Sequence, residues 1–274
     1  IYAIGDAAEK NDDLTGESTL IPLANIANRH GRITADHIAG KKIREVDSIG
    51  TAIVKIFDLA VATTGWNAKR LKAAGRDFAE IHTHPNSHAT YYPGAVQFAL
   101  KLLFDPKSGE IFGAQGVGKD GVDKRIDVIA TSIRGGITAP ALADLELAYA
   151  PPFGSAKDPI NMLGYIAENV ISGITETAQW DELDKYKYEG YAFVDVRSSS
   201  EFANGTIPGS VNIPVDEMRE RHKEIGNKKV IVNCQVGQRG HVATMLLRSL
   251  GYDAKNLDGG YLTWINSPAR SKKN

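Results

Sequence analysis

Between residues 21 and 38 the apolar positions Leu23, Ile26, Ala27, Ile33 and Ile38 return at roughly helical intervals, and Pro22 suits a first turn. This predicts an amphipathic helix ending before Gly40. Ahead of it, Ile1 to Asp6 reads as the end of a buried strand running into a turn, and Glu9 to Ser18 as a polar loop. A strand needs neighbours and nothing precedes this one, so the chain is expected to be the C-terminal part of a longer protein. Ser48 to Thr63 alternates and is β-branched, which predicts a strand; Ala68 to Ala74 predicts a short helix. Phe78 to His84, Ala95 to Phe104 and Ile111 to Val117 add three strands, with a turn at Asp105-Pro106 and Gly109 between the last two. Helices are expected over 122–134, 139–148 and 159–172, and strands followed by helices imply an α+β unit.

From about Thr175 the pattern changes. Tyr191 to Val196, Lys229 to Asn233 and Lys255 to Leu257 read as strands, and Asp216 to Ile225 and His241 to Leu250 as helices. Such alternation implies a small α/β unit built on a parallel sheet with crossovers. The boundary is expected near 172–178.

Composition narrows the function classes. A chain of 274 residues with 42% apolar content can bury two ordinary cores. A net charge of −1 offers no basic surplus, so neither nucleic acid nor an anionic membrane is expected as a partner. A single cysteine rules out an intrachain disulfide framework and fits a reducing cytoplasm. No apolar run reaches membrane-spanning length.

That cysteine, Cys234, sits between a β-branched strand and a helix, at the carboxyl edge of the expected parallel sheet, where open α/β sheets bind ligands. Gln235, Val236, Gly237, Gln238 and Gly240 form a glycine-bracketed loop able to turn backbone N–H groups inward as an anion nest. Such a nest, with Arg239 adding positive charge, suits a thiolate or a persulfide anion. The competing reading is a small apolar side chain packed inertly in the sheet.

The segments Phe193 to Arg197, Glu201-Phe202, Gly205 to Pro214, the Cys234 loop and Leu257 to Trp264 together resemble the rhodanese, or sulfurtransferase, domain. The resemblance implies that Cys234 carries sulfane sulfur as a persulfide, that Asp195 and Arg197 brace the loop, and that residues 237–240 supply its N–H groups. Thr206 departs from the histidine common in that family. A related fold hosts cysteine phosphatases, whose loops hold one more residue between cysteine and arginine. The shorter spacing from Cys234 to Arg239 favours sulfur transfer over phosphoryl transfer.

The opening "IYAIGDAAE" and the "PLANIANRHGRITADHIAG" behind it resemble the last FAD-contacting segment of the pyridine nucleotide-disulfide oxidoreductases. The resemblance implies that Asp6 meets the flavin's ribityl chain and that the helix starting near Leu23, Ala24 and Asn25 aims its N-terminus at the flavin. Residues after 46 resemble that family's dimerisation domain, so a homodimer is implied. "HATYYPGA" (88–95) and "LAYAPPFGSAKDPINMLGY" (147–165) resemble the coenzyme A-disulfide reductases and their NADH oxidase relatives. That resemblance implies that Tyr149 and one of Tyr91 and Tyr92, with Tyr91 preferred, reach across a dimer to the partner's flavin and active cysteine.

These readings divide the chain into an FAD-domain piece (1–45), a dimerisation domain (46–174) and a rhodanese-like domain (175–274). They imply an FAD- and NAD(P)H-dependent reductase of coenzyme A disulfide, coenzyme A persulfide or polysulfide. The alternative is an NADH oxidase-like flavoprotein with a regulatory, non-catalytic rhodanese module. His82, His84 and His88 are not expected to bind metal, since no carboxylate or thiol is expected close by and a proline interrupts the run. "GAQGVGKDG" (113–121) lacks a P-loop ending and reads as a turn.

Overall fold

The computed structural model describes residues 1–44, 46–226, 228–268 and 270. Ile1 to Ile4 are not a strand: they lie exposed, with no strand among the described residues to pair with. The expected polar loop carries one small hairpin, β1 (Lys10–Asn11) with β2 (Ser18–Thr19). Buried Asp12 anchors it by accepting from Trp66 Nε1 and Arg70 Nη2, both at 2.8 Å. The helix α1 (Ala24–Ile38) follows where its periodicity places it, with Pro22 just ahead of the N-cap.

Five antiparallel strands come next: β3 (Ala52–Ile56), β4 (Leu59–Gly65), β5 (Ala79–Thr83), β6 (Ala99–Phe104) and β7 (Ile111–Gly118), in the order β3-β4-β7-β6-β5. The short helix α2 (Ala68–Ala73) connects β4 to β5. The single strand expected over 48–63 is instead a hairpin. Its turn is at Phe57 and Asp58, and Phe57 takes a left-handed backbone (φ 54°) that a bulky residue seldom adopts, so the usual glycine signal is missing. β6 begins at Ala99 rather than Ala95, because the preceding residues turn their hydrogen bonds to the 85–87 loop, Ser87 N donating to Val96 O and Phe98 N to Pro85 O.

Helices α3 (Val122–Gly135) and α4 (Pro159–Ile171) cover one face of this sheet. Ile81, Leu100, Leu102 and Phe104 meet Ile126, Ile129 and Leu163 in the core. The helix expected over 139–148 is a correction: only Pro140–Asp144 form a 3₁₀ turn. Asn161 Nδ2 donates to the carbonyls of Leu142, Ala143 and Leu145 (2.9–3.2 Å), occupying acceptors that an α-helix would need for its own ladder.

The second unit is α/β. In chain order it holds β8 (Thr177–Ala178), α5 (Leu183–Tyr188), β9 (Ala192–Asp195), α6 (Ser199–Ala203), β10 (Ser210–Asn212), α7 (Met218–Arg221), β11 (Lys229–Asn233), α8 (Gln238–Ser249), β12 (Asp253–Leu257) and α9 (Gly260–Ile265). The strands run parallel in the order β10-β9-β11-β12-β8. One face packs Val230, Val232 and Ala254 on Ala243 and Leu247 of α8; the other packs Phe193, Ile231 and Leu257 on Tyr186 and Trp264. The helix expected over 216–225 is broken into α7 flanked by two 3₁₀ turns. α8 starts three residues earlier than its apolar pattern suggests, which draws Gln238, Arg239 and Gly240 into its first turn.

Candidate active site

The loops after β9, β11 and β12 lie side by side at the carboxyl edge of the parallel sheet, and Cys234 heads the middle one. Its side chain is 1% exposed and packs in the cluster containing Ala243 and Leu247, yet it is not left in hydrocarbon alone. Gly237, with a φ of 99° that favours glycine, turns the chain so that its N–H donates to Cys234 Sγ at 3.2 Å. The first bond of α8 runs from His241 N to Gly237 O, so the amides of Gln238, Arg239 and Gly240 lead the helix and give that end its partial positive charge. The expected ring of inward amides thus resolves into one direct hydrogen bond from Gly237 backed by a helix N-terminus. Gln235 serves as rim rather than donor: its carbonyl accepts from Leu262 N (3.0 Å) and its side chain from Arg197 Nη1 (3.0 Å).

Arg197 and Asp195 form a buried pair beside the loop. Asp195 accepts from the main-chain N–H, Nε and Nη2 of Arg197 at 2.7–3.1 Å, and Arg197 stacks over the Tyr261 ring, its guanidinium carbon 4.1 Å from the centroid. Thr206 donates its hydroxyl to Asp195 Oδ2 (2.8 Å), which gives this departure from the family's histidine a structural role.

Arg239 is less free than expected. Its guanidinium makes a two-point contact with Glu201 (2.7 and 2.8 Å). Arg239 holds the Glu201 carboxyl down to about 2 from its ordinary 4.5. A carboxyl depressed on folding stabilises the fold above its unfolded value, and that contribution disappears as pH falls through the folded value. Replacing Glu201 with Gln should therefore lower the thermal midpoint at neutral pH, with the gap to wild type closing between about pH 5 and about pH 2. Thermal melts across that range check this; a pH-independent gap would contradict it.

Residues without an assigned role in the sequence complete the floor. Asn256 Nδ2 donates to Gly237 O (3.1 Å), and its oxygen lies so close to Gly240 that a side chain there would collide. Gly259 and Gly260, with φ near +60°, bring a turn against the loop: a Cβ on Gly260 would sit 2.5 Å from Cys234 O. Tyr261 N then donates to Cys234 O at 2.7 Å. The pair of glycines one residue beyond a strand is the available signal.

In the antiparallel unit, the hydroxyls of Tyr91 and Tyr149 are 2.9 Å apart, both side chains exposed, and the contact raises the Tyr149 phenol above its ordinary 10. Tyr92 instead sets its ring edgewise to His88, with centroids 5.8 Å apart. Asp6 is exposed in a turn fixed to α1 by Gly5 N donating to His30 Nδ1 (3.3 Å). Leu23, Ala24 and Asn25 open a helix with no side-chain cap and no acidic residue in its first turn. The expectation that no carboxylate lies near the histidines needs correcting: Asp258, remote in sequence, is 2.6 Å from His82.

Two family models match. The dimerisation-domain model of the pyridine nucleotide-disulphide oxidoreductases covers residues 51–158, and the rhodanese-like domain model covers residues 176–267. The chain joins these two domains. Reduced CoADR-RHD from Bacillus anthracis is 49% identical with a TM-score of 0.92, over 96% of this chain and 48% of that one. An NAD-dependent persulfide reductase from A. fulgidus is 37% identical with a TM-score of 0.88, over the same shares. A coenzyme A disulfide reductase of Staphylococcus aureus (strain bovine RF122 / ET3-1) is 39% identical over 169 residues, which is 61% of this chain and 38% of that protein. The chain therefore spans about half the length of the solved relatives and less of the curated one. Among the described residues no helix is long and apolar enough to cross a membrane.

Proposed function

We propose that this two-domain chain belongs to a disulfide and persulfide reductase acting on coenzyme A-type substrates, and that its rhodanese-like domain transfers sulfane sulfur through Cys234. What supports this reading is the hydrogen bond from Gly237 N–H to Cys234 Sγ at the head of α8, with the positively charged Arg239 in that helix's first turn. Together these give an anionic sulfur donors and positive charge. With thiosulfate as donor, the Cys234 thiolate attacks the outer sulfur, an S–S bond forms as the donor's S–S bond breaks, and sulfite leaves with the electron pair. Cyanide then takes the terminal sulfur as thiocyanate and returns the thiolate.

A disulfide and NAD(P)H with one proton give two thiols and NAD(P)⁺. FAD, when bound, would carry the electrons between nicotinamide and sulfur. On this chain the uncapped, acid-free start of α1 and the exposed Asp6 beside it fit a flavin edge, because open helix N–H groups and partial positive charge favour a reduced anionic ring. Tyr91 and Tyr149, hydroxyl to hydroxyl, can donate a hydrogen bond to a sulfur that gains charge. The exposed Ile53, Val54, Ile56 and Phe57 of the β3–β4 hairpin support a homodimer that covers them. The chain divides into a piece of an FAD-binding domain, 1–45, and two domains, 46–174 and 175–274.

Thiocyanate formation from thiosulfate and cyanide is the test. Turnover is expected for the wild-type chain; its absence, with thiosulfate and with a persulfide donor alike, would favour a regulatory rhodanese module.

A further inference from the structure

We propose that His82, on β5 of the antiparallel sheet, is a positioning residue for the Cys234 loop, acting through Asp258 and the Gly259-Gly260 turn. The inference rests on the sulfurtransfer reading of Cys234.

Asp258 is the buried residue directly after β12, and its carboxylate meets His82 of the antiparallel sheet. Oδ1 accepts from the main-chain N–H of His82 at 3.0 Å and Oδ2 pairs with His82 Nδ1 at 2.6 Å. A carboxylate only accepts, so Nδ1 carries the proton. Next along the chain, a Cβ on Gly259 would lie 2.8 Å from His82 Cβ. One residue further, a Cβ on Gly260 would lie 2.5 Å from Cys234 O and 2.9 Å from Gly237 N, the amide that donates to the sulfur, so the turn lies close against the loop. Tyr261 N and Leu262 N then hold the carbonyls of Cys234 and Gln235.

Four residues, 258–261, thus link an imidazole of the first domain to the amide facing the sulfur. His84 closes the same joint from two positions on: its Nε2 lies 2.7 Å from Thr263 Oγ1, and burial holds its ring down to about 4, so it stays neutral. Gln179 Nε2 donates to Glu80 O at 3.0 Å and crosses the same joint through a different pair of residues. Without the His82 ring, Asp258 Oδ2 loses its partner in a buried place, and the turn that sets the loop is the element free to shift.

The experiment uses the chain with both domains. His82→Ala should lower kcat for thiosulfate-to-cyanide transfer about tenfold and speed amide hydrogen exchange at Tyr261 and Leu262. His82→Asn, whose Nδ2 can occupy the Nδ1 position, should recover most of both, and Gln179→Ala should leave both at wild-type values. Should His82→Ala not fold, His82→Gln takes its place, since its amide reaches the Nε2 position instead. Unchanged kcat and exchange in the His82 variant, or equal losses in His82→Ala, His82→Asn and Gln179→Ala, would overturn the proposal. If wild type transfers no sulfur, the sulfurtransfer reading fails, while the exchange comparison still decides whether His82 sets the turn.

Discussion

Cys234→Ser is expected to abolish thiocyanate formation, by at least about a thousandfold, while leaving the fold intact. The substitution is nearly isosteric at a buried site, and a hydroxyl can accept from Gly237 N–H where the sulfur does. The fold therefore has little reason to change. The chemistry does, because a serine oxygen forms no persulfide under these conditions. Cys234 is the chain's one cysteine, so no second thiol of this chain can substitute for it. Residual transfer at a wild-type rate would mean that the sulfur rides on no residue of this protein. A steady-state thiocyanate assay beside circular dichroism of the variant separates lost chemistry from lost structure.

The second large effect concerns stability in the first domain. Arg125, 1% exposed, meets Asp158 through Nε and Nη2 (3.3 and 2.9 Å) and reaches the carbonyls of Gly121 and Ser87 (3.2 and 3.1 Å). Asp158 also caps α4 by accepting from Ile160 N (3.0 Å). Removing Arg125 leaves the buried Asp158 carboxylate with the more distant Lys124 Nζ, 3.9 Å away, as its ionic partner, so Arg125→Met should cost about 3–5 kcal/mol in urea denaturation. The double variant with Asp158→Asn should recover part of that loss, since no unpaired charge remains. A single-variant cost below about 1 kcal/mol would contradict the account. Function should follow: Arg125 ties the Ser87 strap to the segment before α4, and the Tyr91 and Tyr149 loops hang from those two ends.

What could be read in the sequence follows from how local each signal is. The α+β unit followed by an α/β unit was legible because β-branched runs and 3.6-residue periods are local. The β3–β4 hairpin was not, since Phe57 makes its turn in a backbone conformation normally left to glycine. Residues 139–148 carried helix-like apolar spacing, but Asn161, distant in sequence, takes their carbonyls. At the site, Cys234 and its glycines announced themselves as strand, loop and helix. The pairing of Arg239 with Glu201 could not be read, because thirty-odd residues of chain separate partners that only the parallel crossover brings together. Nor could the contact between His82 and Asp258 be read, since 176 residues of chain separate them.

Mass spectrometry can show whether Cys234 holds sulfane sulfur. After incubation with thiosulfate and rapid removal of the donor, the peptide containing Cys234 should gain the mass of one sulfur atom and lose it again on addition of cyanide. An unmodified Cys234 peptide, recovered while the protein is turning over thiosulfate, would contradict the account.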